Sequence, residues 1–217
     1  MKAQAKQFLD SMLDAQRLRG SYLTEESVQC IGKRHGIDPA RIVKLNANEN
    51  FFLPRSWLLE LMKEIITELD VRIYPQEEMN ILAERLGGYL GITPDHIIIA
   101  NGSDELIDWV ARLFLDDGDQ VLSISPTFSM YKRNTLFQRA EYVDVPLRDD
   151  FSLDMERMLA KTTHRTKILF LCSPNNPTAN QFRIDTLKLL LEDFPGLVVV
   201  DEAYVEFSGE TVTQLVP

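Results

Sequence analysis

Short apolar or largely apolar runs recur along the second half of the chain, each separated from the next by a stretch with helical periodicity. This alternation restricts the fold more than any other feature. Residues 97–100, 120–124, 141–145, 168–172 and 197–200 read as strands. Between the first two, Leu106, Ile107, Val110, Ala111 and Phe114 fall on one helical face. Residues 128–137, 154–161 and 184–194 read as further helices. Brief strands alternating with amphipathic helices predict an α/β fold, with a mostly parallel sheet covered by helices on both faces.

Upstream the pattern is helical. Ala5, Phe8, Leu9, Met12 and Leu13 predict an amphipathic first helix, and a second short helix is expected near Thr24, with Glu25 and Glu26 in its first turn. Asp38-Pro39 marks a turn, and residues 42–45 read as a short extended piece. Residues 1–45 are therefore expected to form an N-terminal arm and residues 46–217 the main domain. Leu58, Leu61, Met62, Ile65, Ile66 and Leu69 make one helical face, and Met79, Leu82, Ala83, Leu86 and Leu90 another. Residues 208–217 contain no closing element.

Composition excludes several classes. With 45% hydrophobic and 26% charged residues, the 217-residue chain has the make-up of a globular protein with one good core. Its net charge of −10 offers no basic stripe for a nucleic-acid backbone. Asp10 and Asp14 interrupt any apolar leader, and no apolar run is long enough to span a bilayer, so a cytoplasmic protein without a membrane partner is expected. Cys30 and Cys172 are far apart and read as reduced thiols. His35, His96 and His164 lack metal-ligand spacing, so no metal site is expected.

The chemistry lies in the segments that follow the strands, where open α/β sheets bind their ligands. Asn101-Gly102-Ser103-Asp104-Glu105 opens a helix after the first run. Ser125-Pro126-Thr127-Phe128-Ser129-Met130-Tyr131 follows the second, and Ser173-Pro174-Asn175-Asn176-Pro177-Thr178 the fourth. Asp201-Glu202-Ala203-Tyr204 follows the last. Each has a plain structural reading: Asn-Gly-Ser is a good turn and helix cap, and Ser-Pro-Asn-Asn-Pro is a loop by composition. Asp201 after an apolar run also resembles the acidic end of a nucleotide-binding strand. That reading requires a GxxxxGK[ST] loop, which is absent, as are GxGxxG and GxSxG.

Taken together and in order, these segments resemble the histidinol-phosphate aminotransferase family of pyridoxal-phosphate (PLP) enzymes. Lys44-Leu45-Asn46-Ala47-Asn48-Glu49-Asn50 and Arg72-Ile73-Tyr74-Pro75 extend the match. The resemblance implies the aspartate aminotransferase fold, with residues 46–217 as an incomplete, PLP-binding large domain. It implies transfer of an amino group between histidinol phosphate and 2-oxoglutarate, giving imidazole acetol phosphate and glutamate, in a homodimer.

The same resemblance assigns roles. Asp201 would hold the proton on the pyridine nitrogen through a charge-assisted bond, and Asn176 and Tyr204 would bond the ring's 3-oxygen. Phe128 would stack on the ring. Gly102, Ser103 and Asp104 would take the phosphate at a helix N-terminus, mainly through backbone. Tyr74 would reach the phosphate of a neighbouring subunit's cofactor, and Asn48 and Asn50 would face substrate.

Two departures stand out. Ala179 occupies the place of a glycine after Asn-Pro-Thr; if the backbone there needs φ > 0, alanine costs roughly 1–2 kcal/mol. The family's Schiff-base lysine lies one strand-helix-strand step, roughly 30 residues, beyond Asp201. No lysine follows Asp201 before Pro217, so a chain cut short of its catalytic lysine, and inactive alone, is expected. Two other functions stay open: a threonine-phosphate-type PLP decarboxylase, and a non-catalytic half-protein that pairs with a second chain.

Overall fold

The computed structural model describes residues 26–216, so the first predicted helix lies outside the described residues. The chain divides into two compact units, one running through Met79 and the other from Asn80.

In the first unit, α1 (Val28–His35) is capped by Ser27, whose hydroxyl accepts from the Cys30 amide at 3.2 Å. It ends on Gly36 at φ 67, the left-handed conformation that glycine adopts without strain. The helix expected near Thr24 thus begins at Val28, because Ser27 is the residue that can cap it. Residues 42–45 form no ladder. α2 (Arg55–Glu68) and the beginning of α3 (Gln76–Leu90) complete this unit.

The second unit carries the sheet. After the rest of α3 come α4 (Ser103–Phe114), β1 (Gln120–Ser125), α5 (Ser129–Phe137), β2 (Glu141–Pro146), α6 (Met155–Ala160), β3 (Thr166–Cys172), α7 (Ile184–Asp193) and β4 (Leu197–Asp201). The strands are parallel in the order β2-β1-β3-β4. Burial follows this order. β1 and β3, inside the sheet, are buried almost throughout, whereas β2 and β4, at its edges, are mostly half-buried or exposed.

Period-two alternation sends the strand side chains into two cores. Leu122, Ile124, Leu169 and Leu171 pack with Met158, Leu187, Leu190 and Phe194 from α6, α7 and the α7 C-cap. Val121, Ile168, Phe170 and Cys172 pack on the other face with Ile107 and Ala111 of α4 and Tyr131 of α5. Helices therefore cover both faces, as the sequence pattern predicts. Polar groups between the central strands are paired: the Ser123 hydroxyl donates to the Phe170 carbonyl at 2.8 Å, and Thr166 bonds Gln120.

One predicted strand is corrected. Residues 97–100 are not in the sheet, and Ile98 is 73% exposed. A strand is defined by its neighbour, and among the described residues none pairs with this run. The final segment holds two short 3-10 turns, Val205–Phe207 and Val212–Leu215. Among the described residues, no helix is long and apolar enough to cross a membrane, and no cluster of His, Cys, Asp and Glu could hold a metal.

Candidate functional site

Asp201 is the last residue of β4 and lies in register with Cys172, the last residue of β3. Both strands therefore deliver their following loops to the same edge, the end of a parallel sheet where ligands bind. The Asp201 side chain is buried, and both its oxygens are engaged. Oδ2 accepts from the Tyr131 hydroxyl at 2.8 Å, and Oδ1 from the Ala203 amide at 3.0 Å.

Tyr131 reaches this position from the first turn of α5. Its ring lies parallel to Phe170, with centroids 4.9 Å apart, and meets Phe128 edge-on at 5.8 Å. Phe128 precedes α5 and is half-buried. Burial, and then the charge of Asp201, push the Tyr131 hydroxyl far above the usual tyrosine range, so it remains a donor. The adjacent Cys172 thiol is likewise pushed up, chiefly by burial. It donates to the Pro174 carbonyl at 3.2 Å.

The loops after β1 and β3 are tied together by Asn175. Its Nδ2 donates to the Pro126 carbonyl at 2.9 Å and to Thr178 Oγ1 at 2.6 Å, and its Oδ1 accepts from Thr127 Oγ1 at 2.8 Å. Asn175 is buried and Asn176 half-buried, so the two asparagines have different work. The first is the clamp; the second hands its backbone amide to Cys172. The loop closes through Ala179, whose amide donates to the Asn175 carbonyl at 2.6 Å while its φ is 59. The left-handed conformation considered for this position is therefore present, with alanine in it.

α4 begins at Gly102, whose φ of 85 favours glycine, and no side chain caps the helix. Its first amides are thus open to a ligand. The neighbouring turn is fastened by Glu105, whose carboxylate accepts from the Asn101 amide at 2.7 Å. Asp104 titrates above the ordinary carboxylate range, mainly through loss of solvent and then through the charge of Asp201. Arg133 opposes that rise. The α4 terminus, Asp201 and a cation from α5 consequently share one electrostatic neighbourhood. Arg133 Nε is buried without a protein partner, while its guanidinium lies 5.2 Å from the Phe137 ring centre.

In the second unit, Phe128, Asn176 and Asp201 lie at the ends of β1, β3 and β4, and Gly102, Ser103 and Asp104 at the start of α4, where Asp104 feels the Asp201 charge. Tyr204 is there too, half-buried at the start of the turn after β4. Asn48, Asn50 and Tyr74 belong to the first unit. Asn48 has a φ of 53, Asn50 caps a turn by accepting from the Phe52 amide at 3.0 Å, and the Tyr74 ring is exposed. Tyr131 and Asn175 carry no assigned role in the sequence reading. The spacing of Tyr131, three residues after Phe128 across a helix start, was the available signal.

The parallel sheet thus carries a buried acidic residue at the end of β4, bonded to an aromatic side chain of α5 and close enough to the start of α4 to act on Asp104. Residues 40–216 match the aminotransferase class I and II family, and the chain belongs to that family. It is 38% identical over 196 residues to histidinol-phosphate aminotransferase of Methanosarcina barkeri, covering 90% of this chain and 53% of that protein. It is 43% identical over 175 residues to histidinol-phosphate aminotransferase 1 of Carboxydothermus hydrogenoformans, covering 80% and 50%. The chain spans about half the length of the curated relatives it matches.

Among solved structures, histidinol-phosphate aminotransferase from Sinorhizobium meliloti in complex with pyridoxal-5'-phosphate superposes with a TM-score of 0.74. The two are 24% identical, covering 88% of this chain and 51% of that one. A Thermus thermophilus aspartate aminotransferase mutant complexed with tryptophan gives a TM-score of 0.70 at 26% identity, covering 89% and 55%. The fold is therefore that of the aspartate aminotransferases, over about half the length of those chains.

Proposed function

We propose that these residues form the ring- and phosphate-binding part of a PLP aminotransferase that acts on histidinol phosphate and 2-oxoglutarate. The observation that carries the reading is Asp201, a buried carboxylate at the end of β4 with both oxygens already fixed by donors. Around it lie the Phe128 ring and the α4 terminus, whose Asp104 feels the Asp201 charge. That donor set fits a flat, protonated ring carrying a phosphate. The curated relatives named histidinol-phosphate aminotransferase support the choice of substrate.

Bound PLP supplies an electron sink. The chain's own residues do the holding. Asp201 keeps a proton on the ring nitrogen through a charge-assisted hydrogen bond, the stronger kind in a site with little water. Phe128 offers an apolar face to the ring. The first amides of α4, at Ser103 and Asp104 behind Gly102, take the phosphate, and Asn176 and Tyr204 serve the ring's 3-oxygen. Asp104 itself is acidic and contributes backbone rather than charge. Tyr74 completes the site of a second copy in a homodimer, and Asn48 and Asn50 contact substrate.

The residues of this chain assigned to the cofactor all act through non-covalent contacts. Borohydride reduction of the PLP-saturated chain, followed by peptide mass mapping, tests this. The expected result is saturable binding without stoichiometric labelling of any single lysine, and no glutamate formed from histidinol phosphate and 2-oxoglutarate by this chain alone. One fully labelled lysine, or measurable turnover, contradicts it.

A further inference from the structure

We propose that Tyr131 is a positioning residue for Asp201, its hydroxyl fixing one carboxylate oxygen so that the group is held ready for a protonated ring nitrogen. The inference rests on the cofactor reading above and adds to it the residue through which Asp201 is held.

The geometry separates positioning from simple packing. Tyr131 is fully buried, and its hydroxyl donates to Asp201 across 70 residues of sequence at 2.8 Å. The Ala203 amide takes the other oxygen at 3.0 Å. A carboxylate has about four acceptor sites, so one donor on each oxygen fixes its plane and still leaves capacity for a ligand. The ring that delivers the hydroxyl cannot drift. It is stacked on Phe170 with 3° between the planes, and Phe170 is wholly buried in central strand β3. The same ring meets Phe128 at 82°. One side chain therefore sets both the carboxylate and the aromatic face proposed for the cofactor, and ties both to the middle of the sheet.

The hydroxyl is also suited to be a permanent donor. Burial and the neighbouring Asp201 carboxylate push it far above the usual tyrosine range, so it keeps its proton at neutral pH. Asp201 is thereby met by a donor at that oxygen. Cys172, the other buried group at this point, directs its thiol to the Pro174 carbonyl and also interacts with the Tyr131 hydroxyl, which keeps its 2.8 Å bond to Asp201.

The test uses the whole chain and 4'-deoxypyridoxine phosphate labelled with nitrogen-15 in the ring, an analogue that cannot react with lysines. In the unsubstituted chain the bound ring nitrogen is expected at the protonated position. Y131F is expected to bind roughly tenfold more weakly, as loss of a hydrogen bond to a charged group predicts. Its ring-nitrogen signal should move toward the unprotonated position, and that of D201N should reach it. A purely structural tyrosine would lower stability and leave the nitrogen signal of the bound analogue where it was; that outcome overturns the proposal. Failure of the unsubstituted chain to bind the analogue overturns the cofactor reading, and the proposal with it. If Y131F does not fold, the hydroxyl proton resonance of Tyr131 in the unsubstituted chain replaces it. That resonance should shift when the analogue binds, and one that stays fixed on saturation overturns the proposal.

Discussion

Ala179 shows how a single backbone angle sets a prediction. Its φ of 59 places an alanine where the left-handed conformation costs roughly 1–2 kcal/mol. Glycine would remove that strain but loosen the unfolded chain, at a cost of about 0.4–1 kcal/mol. A179G is therefore expected to stabilise the protein by about 0.5–1 kcal/mol, measured by urea unfolding. Asp104 gives a prediction of opposite origin. Loss of solvent, and then the Asp201 charge, raise its folded pKa above 3.8. A carboxyl raised in this way binds its proton better when folded. Its stabilising contribution is present below the ordinary value and is lost as pH rises through the raised one. D104N carries no such charge, so the Tm advantage of D104N over the unsubstituted chain should grow from about pH 3 to about pH 7. A constant or shrinking difference contradicts the assignment.

At the scale of elements, the four strands of the sheet were legible to within a residue or two. Residues 120–124, 141–145, 168–172 and 197–200 became β1 to β4 because each run is bounded by turn formers. Helix starts were legible where a cap is local, as at Asp154, whose carboxylate accepts from the Arg157 amide at the head of α6. Residues 97–100 misled because apolar content marks a run that could pair, while pairing itself depends on a neighbour distant in sequence. The same reason hid half of the site. Asp201, Phe128 and Asn176 announce themselves by position in recognisable segments, but the Tyr131–Asp201 and Asn175–Thr127 bonds exist only once β1, β3 and β4 are side by side. Asn175 fastens two loops through three side-chain bonds, and its loss leaves the Pro126 carbonyl and the Thr127 hydroxyl without that partner. N175A is expected to cost about 1–3 kcal/mol in unfolding free energy and to weaken cofactor-analogue binding, because both loops border Asp201. A variant as stable as the parent would show that the clamp is dispensable.

For the molecule as a whole, the sheet explains why these functions share one place. Four parallel strands point their C-termini the same way, so segments far apart in sequence meet at one edge, and two cores on opposite faces hold that edge rigid. Family membership accounts for the architecture, and the proposed ligand rests on the buried, doubly held Asp201. On the proposed function, this chain binds the ring and phosphate of the cofactor through its own residues. Calorimetric titration of the chain with 4'-deoxypyridoxine phosphate tests it most directly. A single saturable site is expected, competed by inorganic phosphate and weakened at least tenfold in D201N. Absence of saturable binding, or equal affinity in D201N, would contradict it.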